Sequence, residues 1–192
     1  MTWSEEIGRQ IRQHRQADLK MITAIDPGTT QSAFVRAGFK HKSDNVLDIH
    51  SMDILPNEAM VEKLRSLNHF DDVAIEMVAC YGMAVGKEIF ETCVWIGRFI
   101  EAVESNLSTG KRQPVTRVYR KEVKLTLCNS HRAKDANVRQ ALLDMYPPIG
   151  GGKTPQVGTK NQPGPLYGVK SHLWSALAVA VVHAQNQETK PF

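Results

Sequence analysis

The sequence predicts an α/β domain, a mixed five-stranded sheet with helices on both faces. Three observations predict it. Five short apolar or alternating runs are bounded by turn signals. Segments with apolar residues spaced by three and four follow the later runs. The first three strands lie close enough in sequence for an antiparallel meander, whereas the later ones need helical crossovers. At 192 residues the chain is long enough to bury a core of its own.

In order, residues 1–18 read as a helix. Thr2 and Glu5 fit a capping box, and Trp3, Ile7 and Ile11 recur every four residues. Such a helix suits a domain edge, a dimer contact or a basic arm, so residues 1–20 are set apart as an N-terminal helical extension. MITAID (21–26) is a short apolar strand, and Pro27-Gly28 turns the chain into a second strand, TTQSAFVRAG. VLDIHSMD (46–53) is the third, and Pro56 opens a helix to about Leu67. DVAIEMV (72–78) is another apolar strand.

Residues 83–105 form the longest helix. Ile89, Cys93, Ile96, Ile100 and Val103 make one stripe, with Phe90, Val94 and Gly97 beside it. A face this wide suits burial on two sides, against the sheet and a second subunit, or burial within its own domain alone. PVTRVYR (114–120) is the fifth strand, KEVKLTL a short helix, and Lys134–Met145 a helix ended by Pro147-Pro148. Residues 147–168 hold six glycines and five prolines, so this long connection is either functional or disordered. The last helix is expected over Ser171–Ala184 with Ser171 as its N-cap.

Charge is uneven. Residues 44–76 hold eight acids and two bases, whereas residues 111–172 hold twelve bases and three acids. The second stretch is an electrostatic footprint for a polyanion, with nucleic acid first among partners and a solvated basic face as the plain alternative. No apolar run approaches the ~20 residues of a membrane helix, and the polar N-terminus lacks a signal-peptide core. Cys80, Cys93 and Cys128 have no metal spacing and read as reduced thiols, which points to the cytoplasm. Gly152-Lys153-Thr154 looks like the end of a phosphate-binding loop. Pro147 stands where that motif needs its first glycine, and no strand precedes it.

Two acids stand out. Asp26 ends the first strand before a tight turn, and Glu76 sits within VAIEMV. A lone carboxylate in an apolar strand is costly unless something binds it, and a divalent cation would. A capped turn or a buried salt bridge is the structural alternative for each. His172 falls at the start of the last helix, where the helix dipole disfavours a protonated ring. A neutral, metal-binding or proton-accepting imidazole fits there. Ser175 is three residues on, on the same face. Trp174 reads as core packing.

The stretches ITAIDPGTTQSAFV, VAIEMV, RAKDANVRQALLDMYP and SHLWSALAVAVVH resemble, in order and spacing, RuvC-type Holliday junction resolvases. The likeness covers about residues 21–185, and the Gly/Pro loop with the wording around KDANVRQAL is most similar to the phage-encoded branch. The resemblance implies an RNase H-like domain over 21–192, with the basic Gly/Pro loop at 147–169. It also implies a homodimer that cuts four-way DNA junctions, leaving a 5′-phosphate and a 3′-hydroxyl, in a bacterial host cytoplasm if phage-encoded. No membrane and no nucleotide cofactor are involved.

By the same resemblance Asp26, Glu76 and His172 are catalytic and hold metal, with two Mg²⁺ ions per site and Mn²⁺ as a substitute. The family often has aspartate where this chain has Ser175. Either three protein ligands suffice or another acid substitutes. Asp135, at a helix start within the basic stretch, is that candidate, and a dipole-stabilising aspartate is the alternative. Arg112, Arg117, Arg120, Lys121, Lys124, Arg132, Lys134 and Arg139 would grip DNA through phosphates. Tyr81 either stacks on an unpaired base at the crossover or is a core tyrosine at a helix start. DPGTT also resembles the phosphate strand of the actin and hexokinase ATPases, but their second Asp-x-Gly loop is missing. Two other functions compete: a catalytically impaired junction-binding protein, and an RNase H-like nuclease for other branched DNA or RNA-containing substrates.

Overall fold

A computed structural model describes residues 19–40, 46–67, 71–80, 82, 84–105 and 114–188. The helix expected over 1–18, and with it nearly all of the proposed extension, lies outside the described residues, as do Tyr81 and Arg112.

The strands are β1 (Leu19–Asp26), β2 (Gln31–Lys40), β3 (Asp48–Pro56), β4 (Asp72–Met77) and β5 (Val115–Tyr119). They form the expected mixed sheet, in the order β3-β2-β1-β4-β5. β1, β2 and β3 pair antiparallel, while β4 and β5 run parallel to β1. β1 starts at Leu19, two residues before the predicted strand, because Leu19 and Lys20 pair with Lys40 and Phe39 of β2. The third strand runs to Pro56 and not to Asp53, since Ile54, Leu55 and Pro56 still pair with β2.

The helices are α1 (Asn57–Arg65), α2 (Lys87–Glu104), α3 (Arg120–Cys128), α4 (Asp135–Met145) and α5 (Leu173–Glu188). Side chains alternate across the sheet, so each strand feeds two cores. Ile25, Phe34, Val73 and Ile75 face α1 and α2, where Met60, Leu64, Ile96 and Phe99 meet them. Ile22, Ala24, Val35, Ala74 and Val118 face α5, with α3 and α4 outside it. From Ala176 to Val182, α5 is buried all round, as a helix without a polar stripe must be. Its alanines let it lie close against the sheet.

Two details depart from the sequence reading. The last helix begins at Leu173, and Ser171 is not its N-cap. Ser171 has φ 45°, left-handed backbone, whereas an N-cap needs extended backbone. His172 therefore flanks the helix, and its carbonyl accepts from the amides of Ser175 and Ala176. The Gly/Pro connection, for its part, is ordered. Gly151 and Thr159 both donate to the Gln162 carbonyl, and Leu166, fully buried, anchors the segment to the core. Gly158 has φ 76°, and a Cβ there would strike the Gly164 amide, so this crossing admits only glycine. Among the described residues no helix is long and apolar enough to cross a membrane.

Candidate active site

The parallel strands β1, β4 and β5 end at one edge of the sheet, where open α/β sheets place their ligands. Ile25 pairs with Ile75, so Asp26 and Glu76 follow one step on, side by side. By alternation both carboxyls share the face of Ala24 and Ala74, toward α5. β5 sets the third position. Tyr119 pairs with Met77, and Arg120 follows at the start of α3.

These residues meet in one pocket of about 390 Å³, lined by Asp26, Glu76, Arg120, Asp135, His172 and Ser175. His172 Nδ1 lies 3.0 Å from Asp26 Oδ2. Arg120 donates to Asp135 Oδ1 at 2.6 Å, and its other terminal nitrogen is 3.5 Å from both Glu76 Oε1 and Ser175 Oγ. The three acids and the histidine singled out in the sequence thus converge, with Ser175 among them. Arg120, expected on the DNA surface, is instead tied into the acid cluster.

Electrostatics follow from burial. The Glu76 carboxyl is pushed up to about 7, first by loss of water and then by the charge of Asp26. Asp26 is also raised by desolvation, opposed by His172 and Arg120. The two carboxyls are coupled, so the pair and not either residue alone sets how the first proton is lost. Asp135 is held below its usual range by its bond from Arg120. Burial alone would lower Arg120, but the charge of Glu76 and the bond to Asp135 outweigh it.

The donor set suits a hard cation. Two adjacent, desolvated carboxylates repel, and a divalent ion bound between them would relieve that repulsion. Mg²⁺ is commonly held by one or two carboxylates plus substrate phosphate, not by a full protein cage. Among the described residues no three His, Cys, Asp or Glu side chains form such a cage.

The turn carrying Asp26 is clamped from beneath. Gly28 N–H donates to Ser32 Oγ at 3.1 Å, Ser32 Oγ donates to Asn57 Oδ1 at 2.7 Å, and Asn57 Nδ2 donates to the Gly28 carbonyl at 2.9 Å. Ser32 and Asn57 are fully buried. Sequence reasoning missed this clamp. The only signal was a polar residue straight after Pro56.

Of the expected DNA contacts, Arg117, Lys121, Arg132, Lys134 and Arg139 are exposed and Lys124 is half-buried. Arg139 lies over the Trp174 ring, 4.8 Å from its centroid. Trp174 does pack against the core as expected, but it also lines a second cavity beside the acid pocket, together with Lys170. Neither was singled out as a site residue.

No family model matches the sequence, and neither does any curated protein. Solved structures do match in fold. The chain is similar to Thermus thermophilus RuvC in complex with a Holliday junction substrate, with TM-score 0.63 and 17% identity, over 88% of this chain and 95% of that one. A second Thermus thermophilus RuvC structure matches with TM-score 0.62 and 18% identity, over 90% and 99%. The shared architecture is the RNase H-like α/β fold.

Proposed function

We propose that this chain is a RuvC-type resolvase, a structure-specific DNA endonuclease that hydrolyses phosphodiester bonds at four-way junctions. One observation carries the reading: a buried pair of carboxyls, Asp26 and Glu76, opens to solvent at the strand ends beside an exposed basic surface. Fold alone does not choose a function, but this site suits phosphoryl chemistry. The likeness to a RuvC solved with a junction supports the choice of substrate.

Asp26 and Glu76 would hold Mg²⁺ or Mn²⁺, and His172, with one ring nitrogen tied to Asp26, is left to handle the attacking water. When bound, divalent cations polarise the phosphate and offset its developing charge. The protein's own groups do the rest. Asp26 fixes the His172 ring through Nδ1, leaving Nε2 as the nitrogen that can accept a proton from the attacking water. Arg120 holds Glu76 and Asp135 in register and supplies a cation where phosphate charge grows. Asp135 reaches the cluster only through Arg120, so it serves as a positioning residue and not as a direct fourth ligand. Arg117, Lys121, Arg132 and Lys134 place the DNA arms through phosphates.

A twofold junction calls for two cuts, and a homodimer supplies them. The outer face of α2 fits that role, with Phe90 and Val94 more than half exposed.

The test is nicking of a labelled, immobile four-way junction, in Mg²⁺ and in EDTA. Paired cuts that need metal, with Asp26→Asn slower by at least about 10²-fold while binding persists, are the expected result. Tight binding without cutting in any divalent ion would instead favour the impaired junction-binding protein. Restoring aspartate through Ser175→Asp would then reveal whether position 175 is the cause.

A further inference from the structure

Beside the acid pocket lies a larger cavity of about 570 Å³. The two share Arg120, Asp135, His172 and Ser175, so they form one continuous cleft. Their charges differ. The first holds the carboxyls of Asp26 and Glu76. The second is walled by Arg139, Lys170 and Trp174, with Val138 and Val169 behind. Asp135, the one acid on this wall, is already neutralised by Arg120 at 2.6 Å.

Arg139 is the telling residue. It has no carboxylate partner among the described residues, yet its guanidinium is held 4.8 Å above the Trp174 ring. A stacked guanidinium keeps its in-plane N–H groups free, in a fixed fork that matches a phosphate. The volume suits one small polar ligand, and the valines offer an apolar wall to a sugar or base.

We propose that this cavity seats the nucleotide next to the scissile phosphate, with Arg139 on its Trp174 shelf holding that nucleotide's phosphate. Lys170 adds a second cation at the rim. The inference deepens the nuclease reading and rests on it: a strand with one phosphate at the acid pocket runs its neighbour into this cavity. Arg139 thereby sets the register of the strand, a role distinct from the arm contacts.

The test replaces single phosphates around the crossover of a four-way junction with uncharged methylphosphonates. Binding is measured in EDTA, for wild type and Arg139→Ala. Arg139 is exposed, so its loss leaves the core intact, and thermal melting checks this. Arg139→Ala alone is expected to weaken binding roughly fivefold and to reduce the salt slope by about one. At one phosphate, the immediate neighbour of the one that is cut, methylphosphonate and Arg139→Ala together should cost no more than either alone. Arg139→Lys, which keeps the charge but loses the stacked fork, should fall between. Trp174→Leu should reproduce part of the loss, and Trp174→Phe should restore it.

Additive losses at every phosphate, or a coupling that falls on an arm, would overturn the proposal while leaving the resolvase reading intact. If wild type binds but does not cut in Mg²⁺, the resolvase reading fails, and the seat, defined by the phosphate that is cut, fails with it. If wild type binds no junction at all, both fall.

Discussion

Glu76 makes the stability of the metal-free chain depend on pH. Unfolded, its carboxyl titrates near the ordinary 4.5, whereas in the folded chain it is pushed up to about 7. Below the lower value the group is protonated in both states, and its burial costs nothing. Between the two values the unfolded chain releases this proton while the folded chain keeps it against lost water and the Asp26 charge, so stability falls as pH rises and levels off above about 7. Asp26, raised as well, acts in the same direction. The melting temperature without metal should therefore drop between about pH 5 and about pH 8, by the equivalent of about 1–3 kcal/mol. Glu76→Gln should flatten that slope and stabilise the chain at the alkaline end, as calorimetry across pH would show. Asn57 offers a second handle at this scale. Asn57→Ala leaves Ser32 Oγ and the Gly28 carbonyl buried without their partner. It should cost about 1–3 kcal/mol by denaturant titration, and it should slow junction cutting by loosening the turn that carries Asp26.

α2 shows how one element serves two surfaces. Thr92, Ile96, Phe99 and Val103 are buried against the sheet. The other side keeps Ile89, Phe90 and Val94 in contact with solvent. The apolar stripe expected from the sequence was rotated: Cys93 is exposed and Thr92 is buried, its hydroxyl bonded to the Glu88 carbonyl at 2.8 Å. Period alone cannot choose between two adjacent apolar faces, because both satisfy it. The contact with the sheet decides. If the outer face joins two copies, Phe90→Glu should yield a monomer by light scattering with little change in melting temperature. It should also turn paired cuts into single nicks. α5 is the opposite case. Its apolar run has no polar side to misplace, and the structure buries it between the sheet and α3 and α4. Its start was not legible in the sequence. The predicted N-cap fails because Ser171 lies in the left-handed region, a loop geometry that composition does not reveal.

Across the molecule, charge separates by sign. The acid-rich stretch 44–76 builds β3, α1 and β4, and the basic stretch 111–172 builds β5, α3, α4 and the ordered loop. Since Arg117, Lys121, Arg132, Lys134 and Arg139 are exposed, junction binding should fall steeply with salt. With each of the five on a phosphate, a log–log slope of about −4 or steeper is expected from fluorescence anisotropy across a salt series. Binding should also vary little with the sequence of the arms, because phosphate contacts carry no base information.

The sequence by itself determined the elements, the mixed sheet and the two buried acids. Strand and helix periods are local properties, and a carboxylate inside an apolar strand is visible wherever the strand ends up. Only the tertiary structure decided the partners. Strand register set Glu76 beside Asp26, the end of β5 delivered Arg120 between Glu76 and Asp135, and α5 brought His172 onto Asp26 across 146 positions of chain. Arg120 read as one more surface cation, because a residue's charge is written in the sequence while the charges it faces are not. Register and long-range packing are fixed by the fit of whole faces, a condition no single stretch of residues contains.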